Sequence, residues 1–294
     1  MPYAFLASDP SVQLAVARVA REEAEGALAQ VHGDGPLAPR VHAMRKAVKK
    51  LRGLVRLVRP VMRGAAAENA ALRDAGRGLS SLRDAAVLLA TAEGLSEGME
   101  EGRREALLAP FRAAALAHDE AAEEAVLPPF AQAMEALRDR TNEWRVKGEG
   151  WEAIEPGLVA TWEAARAALK AARREPSSEA THEWRKRVKD HWYQARLLQP
   201  IWPPLMEPHV AAADELGEVL GQVNDLAVLR ERLGANDLAA DLAPDLADEA
   251  LARAGERHAE LWAQAEPLGL RLLAGRAEDL ARRWGAWWSL RGAP

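Results

Sequence analysis

Two stretches of this 294-residue chain, 140 residues apart, repeat the same residue types at the same spacing. Val41-His42-Ala43-Met44-Arg45-Lys46-Ala47-Val48-Lys49 is matched by Thr181-His182-Glu183-Trp184-Arg185-Lys186-Arg187-Val188-Lys189. The match continues at Arg56 with Arg196, Leu57 with Leu197 and Pro60 with Pro200. A second pair of segments follows at an offset of 141, with Gly76, Leu79, Leu82, Arg83, Asp84 and Val87 against Gly217, Leu220, Val223, Asn224, Asp225 and Val228. His118 and His258 again lie 140 apart. Ordered matches at a nearly constant offset mark an internal duplication, so the fold is expected to consist of two similar halves. They meet near Gly148-Glu149-Gly150, giving a first half at residues 1–148 and a second at residues 149–294.

The chain is rich in Ala, Leu and Arg, poor in β-branched and aromatic strand formers, and apolar at helical spacing almost throughout. Helices are expected at about 10–32, 39–59, 65–92, 97–126, 129–146, 152–174, 178–199, 208–233, 241–266 and 269–290. Prolines and glycines punctuate them, notably at Pro60, Gly94, Pro128-Pro129, Pro203-Pro204 and Pro267. No alternating pattern or hairpin signal competes. The fold class is all-α, with each half an antiparallel bundle of four or five helices.

At 100° per residue, His42, Arg45, Lys46, Lys49, Arg52 and Arg56 fall within one arc of about 120°. Met44, Val48, Leu51, Val55 and Val58 form the opposite, core-facing stripe. In the second half His182, Arg185, Lys186, Lys189, Trp192, Tyr193 and Arg196 share the corresponding arc. Solvated helix faces normally mix acids with bases, since like charges at i, i+4 cost a few tenths of a kcal/mol each. Residues 40–59 instead hold eight Arg or Lys and no acid. Of the net charge of −5, that stretch contributes +8 and residues 181–199 contribute +3, which leaves −16 for the rest. Two concentrated basic strips on an acidic body imply an anionic ligand. From His42 to Arg56 the helix rises about 21 Å, which favours a linear polyanion over a nucleotide. Arg supplies bidentate contacts to phosphate oxygens and Lys an adaptable point charge. Each His is read as lying near a helix N-terminus, where the dipole favours a bound anion. Affinity is therefore expected to rise as pH falls through the histidine range.

Rival readings find less support. There are no cysteines, which removes disulfides and thiolate chemistry and fits a reducing compartment. No signal peptide or membrane span is read, so a cytoplasmic protein is expected. His-mediated binding of a divalent metal is an alternative. However, His32, His42, His118, His182, His191, His209 and His258 form no H-x-x-x-H pair, and the neighbouring Arg and Lys would repel a cation. Single-stranded nucleic acid is the more serious alternative. Against it, aromatics make up only 5% of the chain and the first ladder carries none on its basic face. All ten Trp follow residue 140; they read as core, except Trp192. No phosphate loop, paired carboxylates or triad supports catalysis.

The H-x-x-R-K-x-x-K ladder, its repetition, and the paired L-x-x-L-R-D-type segments resemble the CHAD family, the conserved-histidine α-helical domain. The resemblance spans about residues 10–290. It implies two helical bundles about a pseudo-two-fold axis, a basic central channel for inorganic polyphosphate, no intrinsic catalysis and no cofactor. The E-x-E-x-K strand of the CYTH domain, fused to some members, is absent. The implied polyphosphate contacts are His42, Arg45, Lys46, Lys49, Arg52, Arg56 and Arg83, with His182, Arg185, Lys186, Lys189, Tyr193 and Arg196. Asn224 replaces the second copy of Arg83, and Trp192 and Tyr193 stand where the first half has Arg52 and Gly53. These departures imply an asymmetric channel with a weaker second half. Asp84 and Asp225 are expected to orient ladder arginines. Association with polyphosphate granules, as a scaffold or store, is a further implication.

Overall fold

The structure, a computed structural model, describes residues 3–79, 81–116, 120–234 and 242–291, the side chains of 81–84 and 120–124 excepted. Among the described residues the chain forms eleven α-helices and no strand. They are α1 (Val12–Val31), α2 (Leu37–Val58), α3 (Ala65–Gly78), α4 (Ser81–Leu95), α5 (Glu101–Leu116) and α6 (Glu120–Arg140). The series continues with α7 (Glu155–Arg174), α8 (Ser178–Leu198), α9 (Pro203–Gly234), α10 (Pro244–Leu272) and α11 (Ala277–Leu290). Side-chain caps start two of them: Ser11 accepts from the Leu14 amide and Ser177 from the Ala180 amide.

Several boundaries differ from the sequence expectation. The single helix expected at 65–92 is two, α3 and α4, with Gly78 as the last residue of α3. Pro128, Pro129 and Pro267 do not break the chain; α6 and α10 run through them. An interior proline removes one hydrogen bond, and packing on either side holds these helices together. Phe130, Met134 and Leu137 anchor α6 in the core beyond its prolines. In α10, Gly269 lies so close to Trp184 that an added Cβ would be 2.3 Å from the indole. Pro203 and Pro204 open α9 rather than precede it, since the first turn has amides with no intrahelical partner to lose. Residues after Arg140 leave the helix, and Val146 forms an isolated antiparallel bridge with Met62.

The main core is continuous across the two halves of the sequence. Met44, Leu51 and Leu54 of α2 join Leu158 and Trp162 of α7, Trp184 and Val188 of α8, Leu216 and Leu220 of α9, and Trp284 of α11 in one buried cluster. A smaller cluster around Leu107, Phe111, Leu229 and Leu246 again draws on both halves. Two glycines set how closely the halves approach. A Cβ on Gly157 would sit 1.6 Å from the Leu57 carbonyl oxygen, so α7 meets the α2 backbone directly. A Cβ on Gly53 would sit 2.6 Å from Cβ of Tyr193. The unmatched pair Gly53 and Tyr193 is thus one complementary contact between α2 and α8. Trp192 and Tyr193 are correspondingly buried, at 9% and 5% exposure, rather than displayed on an open basic face.

Behind α8 a fully buried histidine meets a partly buried one. Nε2 of His191 and Nε2 of His209 are 2.7 Å apart, enclosed by Trp162 and Trp284. Burial pushes the His209 pKa down to about 4, with the nearby Arg283 charge adding to the effect. Burial also lowers His191 well below its usual value, assisted by His209. The unfolded chain takes up protons near 6.5 while the folded pair resists, so this contribution to stability is complete above about pH 6.5 and is lost as pH falls towards 4. Thermal melts from pH 7 to pH 4 should show that decline, and His209→Asn should make it shallower relative to its own value at pH 7.

Candidate functional site

Helices α2 and α8 pack against each other and deliver the basic ladders to a shared cleft, whose cavity measures about 610 Å³. From α2 the lining residues are His42, Arg45, Lys46 and Lys49, and from α8 they are Arg185, Lys189, Trp192, Tyr193 and Arg196. The opposite wall is α9, which contributes Glu207, Asp214 and Glu218. Sequence reasoning missed these carboxylates. Their spacing of seven and four residues puts them on one helix face and could have revealed them.

The cleft holds its cations in several ways. Lys189 donates to Asp214 at 3.1 Å and Glu218 at 2.7 Å, and its ammonium lies 4.1 Å from the Trp192 ring. The hydrogen bond from Lys189 lowers the Glu218 pKa. Arg196 lies over the rings of Trp192 and Tyr3, at 4.8 and 5.7 Å, an attraction to the π-face that leaves the guanidinium charge uncancelled. Arg45 donates to the Leu79 carbonyl at 2.8 Å. Glycines make room for these side chains. A Cβ on Gly217 would meet Cδ of Lys189 at 2.7 Å, and one on Gly221 would meet the Arg185 guanidinium at 3.2 Å.

The remaining ladder residues are placed differently. Arg52 lines a neighbouring cavity of about 280 Å³ that also includes Arg45 and Lys49. Arg56 is committed to Asp190, a buried α8 carboxylate that also accepts from Arg187 at 3.1 Å. His182 is exposed, and its Nδ1 lies 2.8 Å from Oδ1 of Asn224. An amide oxygen can only accept, so Nδ1 carries the proton and Nε2 points elsewhere. Lys186 pairs with Glu183 at 2.5 Å. Arg56, His182 and Lys186 are therefore not among the residues lining the 610 Å³ cleft. His42 and His182 are the sixth and fifth residues of their helices, past the first turn, where the helix-end field has largely decayed.

The side chains of Arg83 and Asp84, and the whole of His118, lie outside the described residues. Asp225 lines a separate cavity of about 780 Å³ with Arg253 and Arg257, at the junction of α4, α9 and α10. Among the described residues no group of three or more His, Cys, Asp or Glu is arranged to hold a metal ion. None of the described helices is long and apolar enough to cross a membrane.

The fold is all-helical, and two basic helices and an acidic one enclose a mixed-charge cleft. The model of the CHAD domain family matches residues 13–234, and the chain belongs to that family. The matched region ends with α9, the helix that carries the acidic wall. The fold is similar to the crystal structure of the CHAD domain from the plant Ricinus communis, with a TM-score of 0.66 and 19% identity. That alignment covers 94% of this chain and 97% of the plant chain, so it includes helices beyond the family-model match. A search of curated proteins returned no match.

The Arg56–Asp190 contact gives a direct test of which ladder cations are structural. Arg56→Ala should lower unfolding stability by about 3 kcal/mol in urea titrations, because it strips one partner from a buried carboxylate. Lys46→Ala, on the exposed side of the same helix, should change stability by less than about 0.5 kcal/mol.

Proposed function

We propose that this chain binds inorganic polyphosphate, without chemical conversion of it, in the cleft between α2, α8 and α9. The observation that carries the reading is the meeting of two separate basic ladders in one cavity. His42, Arg45, Lys46 and Lys49 line it with Arg185, Lys189 and Arg196, although the two sets are 140 residues apart in sequence. A repeating anion can satisfy both walls in succession, which a single phosphate group cannot. The sequence resemblance to the CHAD family pointed to the same ligand. In this reading the cleft retains the polymer and does not convert it. Docking onto polyphosphate granules and a cytoplasmic location follow from this reading as its cellular setting.

Single-stranded nucleic acid shares the backbone chemistry but also needs faces for its bases. Trp192 is the aromatic best placed for that, and its ring is already occupied by Lys189 and Arg196. Base stacking would have to displace both cations. The polymer without bases fits the cleft better.

Titrating the protein with long-chain polyphosphate and with single-stranded DNA of matched charge, at several salt concentrations, tests the proposal. Polyphosphate should bind more tightly at near-physiological salt, with log affinity falling linearly against log salt concentration as counterions are released. Equal or tighter DNA binding would overturn the assignment. The double variant Lys49→Glu/Lys189→Glu should abolish polyphosphate binding at unchanged helix content, and retained binding would place the ligand elsewhere.

A further inference from the structure

The sequence repeat inverts charge at two positions beside the cleft. At the offset of 141 that aligns Gly76 with Gly217, Arg73 corresponds to Asp214 and Arg77 to Glu218. Each pair occupies a helix packed against its own ladder: α3 lies on α2, and α9 on α8. In the second half the inverted residues bind the ladder, since Asp214 and Glu218 both accept from Lys189. In the first half Arg73 and Arg77 instead join Arg52, Arg45 and Lys49 around the 280 Å³ cavity, whose described lining contains five cations and no carboxylate.

We infer that Arg52, Arg73 and Arg77 form a second anion subsite, between α2 and α3, continuous with the main cleft through Arg45 and Lys49. The polyanion leaves the cleft over α3, while Asp214 and Glu218 close the equivalent route over α9. The inference rests on the polyphosphate reading above and adds a direction to it.

Three further observations support this assignment. Arg45 and Lys49 line both cavities, so a chain held by them reaches either one. Among the described residues Arg73 and Arg77 share Asp74 as their carboxylate partner, at 3.1 and 3.6 Å, and all three side chains are more than half exposed. Such pairs cost little to rearrange, and a guanidinium has donors enough to keep one carboxylate while binding a phosphate. Arg52 is also held in an environment hostile to its own charge. Burial lowers its pKa, and the charges of Arg56, Arg73 and Arg187 push the same way against the opposing pull of Asp190. A bound anion would relieve that repulsion. Arg52 contacts Asn69 through a 3.3 Å hydrogen bond, which orients the side chain without neutralising it.

The test compares long-chain polyphosphate binding by the full chain and three double variants. Arg73→Ala/Arg77→Ala should weaken binding at least about tenfold and reduce the salt slope by about 2, one for each lost phosphate contact. Arg276→Ala/Arg282→Ala removes the same charge from two exposed arginines of the α11 region, and should stay within about twofold of the unmodified chain if the distant charges act only through the screened field. Asp214→Asn/Glu218→Gln should tighten binding by releasing Lys189. Helix content by circular dichroism should be equal in all four proteins. Equal affinities for Arg73→Ala/Arg77→Ala and Arg276→Ala/Arg282→Ala would overturn the subsite, and unchanged affinity in Asp214→Asn/Glu218→Gln would overturn the closed route over α9. Absence of polyphosphate binding by the unmodified chain would overturn both this inference and the functional reading; binding by that chain with an unaffected Arg73→Ala/Arg77→Ala would overturn the subsite alone.

Discussion

Everything at the cleft depends on the direct packing of α2 against α8. Two cationic helices placed side by side repel one another, so their contact needs specific compensation. It comes partly from shape, as the bare backbone at Gly53 receives the base of the Tyr193 side chain. It comes partly from charge: Asp190 of α8 takes Arg56 of α2 and Arg187 of its own helix. Asp190 is almost fully buried, where the desolvation cost of a lone carboxylate is several kcal/mol. One buried acid thereby joins two basic elements and leaves the cations farther along α2 to face the cleft.

This division of labour along α2 explains why a single ladder contains residues of different kinds. Arg56 is close in pattern to Lys49 and Arg52, yet it closes an interhelical ion pair. Arg52 lies between the two regimes, half-buried and lining a neighbouring cavity. Towards the N-terminal end, His42, Lys46 and Lys49 are exposed, and it is this end that meets Arg185, Lys189 and Arg196 across the cleft. A stripe that looks uniform in sequence is graded by depth.

Much of this architecture was legible in the sequence. Helical periodicity identified the all-α fold, and the apolar stripe Met44, Val48, Leu51, Val55 and Val58 is the buried face of α2. The sequence also flagged Gly53 against Tyr193 as a departure from the repeat, but a one-dimensional comparison cannot show that these two residues touch each other. It read Trp192 as a display residue because a helical wheel locates a side chain by angle and does not include the neighbouring helix. Pro128, Pro129 and Pro267 suggested breaks because local propensity counts the lost hydrogen bond and ignores the tertiary packing that holds each helix together. The pairing of Arg56 with Asp190 is invisible in the ladder pattern because the two residues are 134 apart in sequence. Long-range pairing was the missing information in each case.

The unlike ways of holding the cleft's cations have unlike consequences for an incoming anion. A phosphate approaching Lys189 must compete with Asp214 and Glu218, so part of its attraction is spent replacing contacts that already exist. A phosphate approaching Arg196 meets a guanidinium positioned by Trp192 and Tyr3, whose rings attract the cation but carry no net charge to be displaced. Cations held by neutral partners are prepared for an anion in advance, whereas Lys189 responds only if the new partner outcompetes the old.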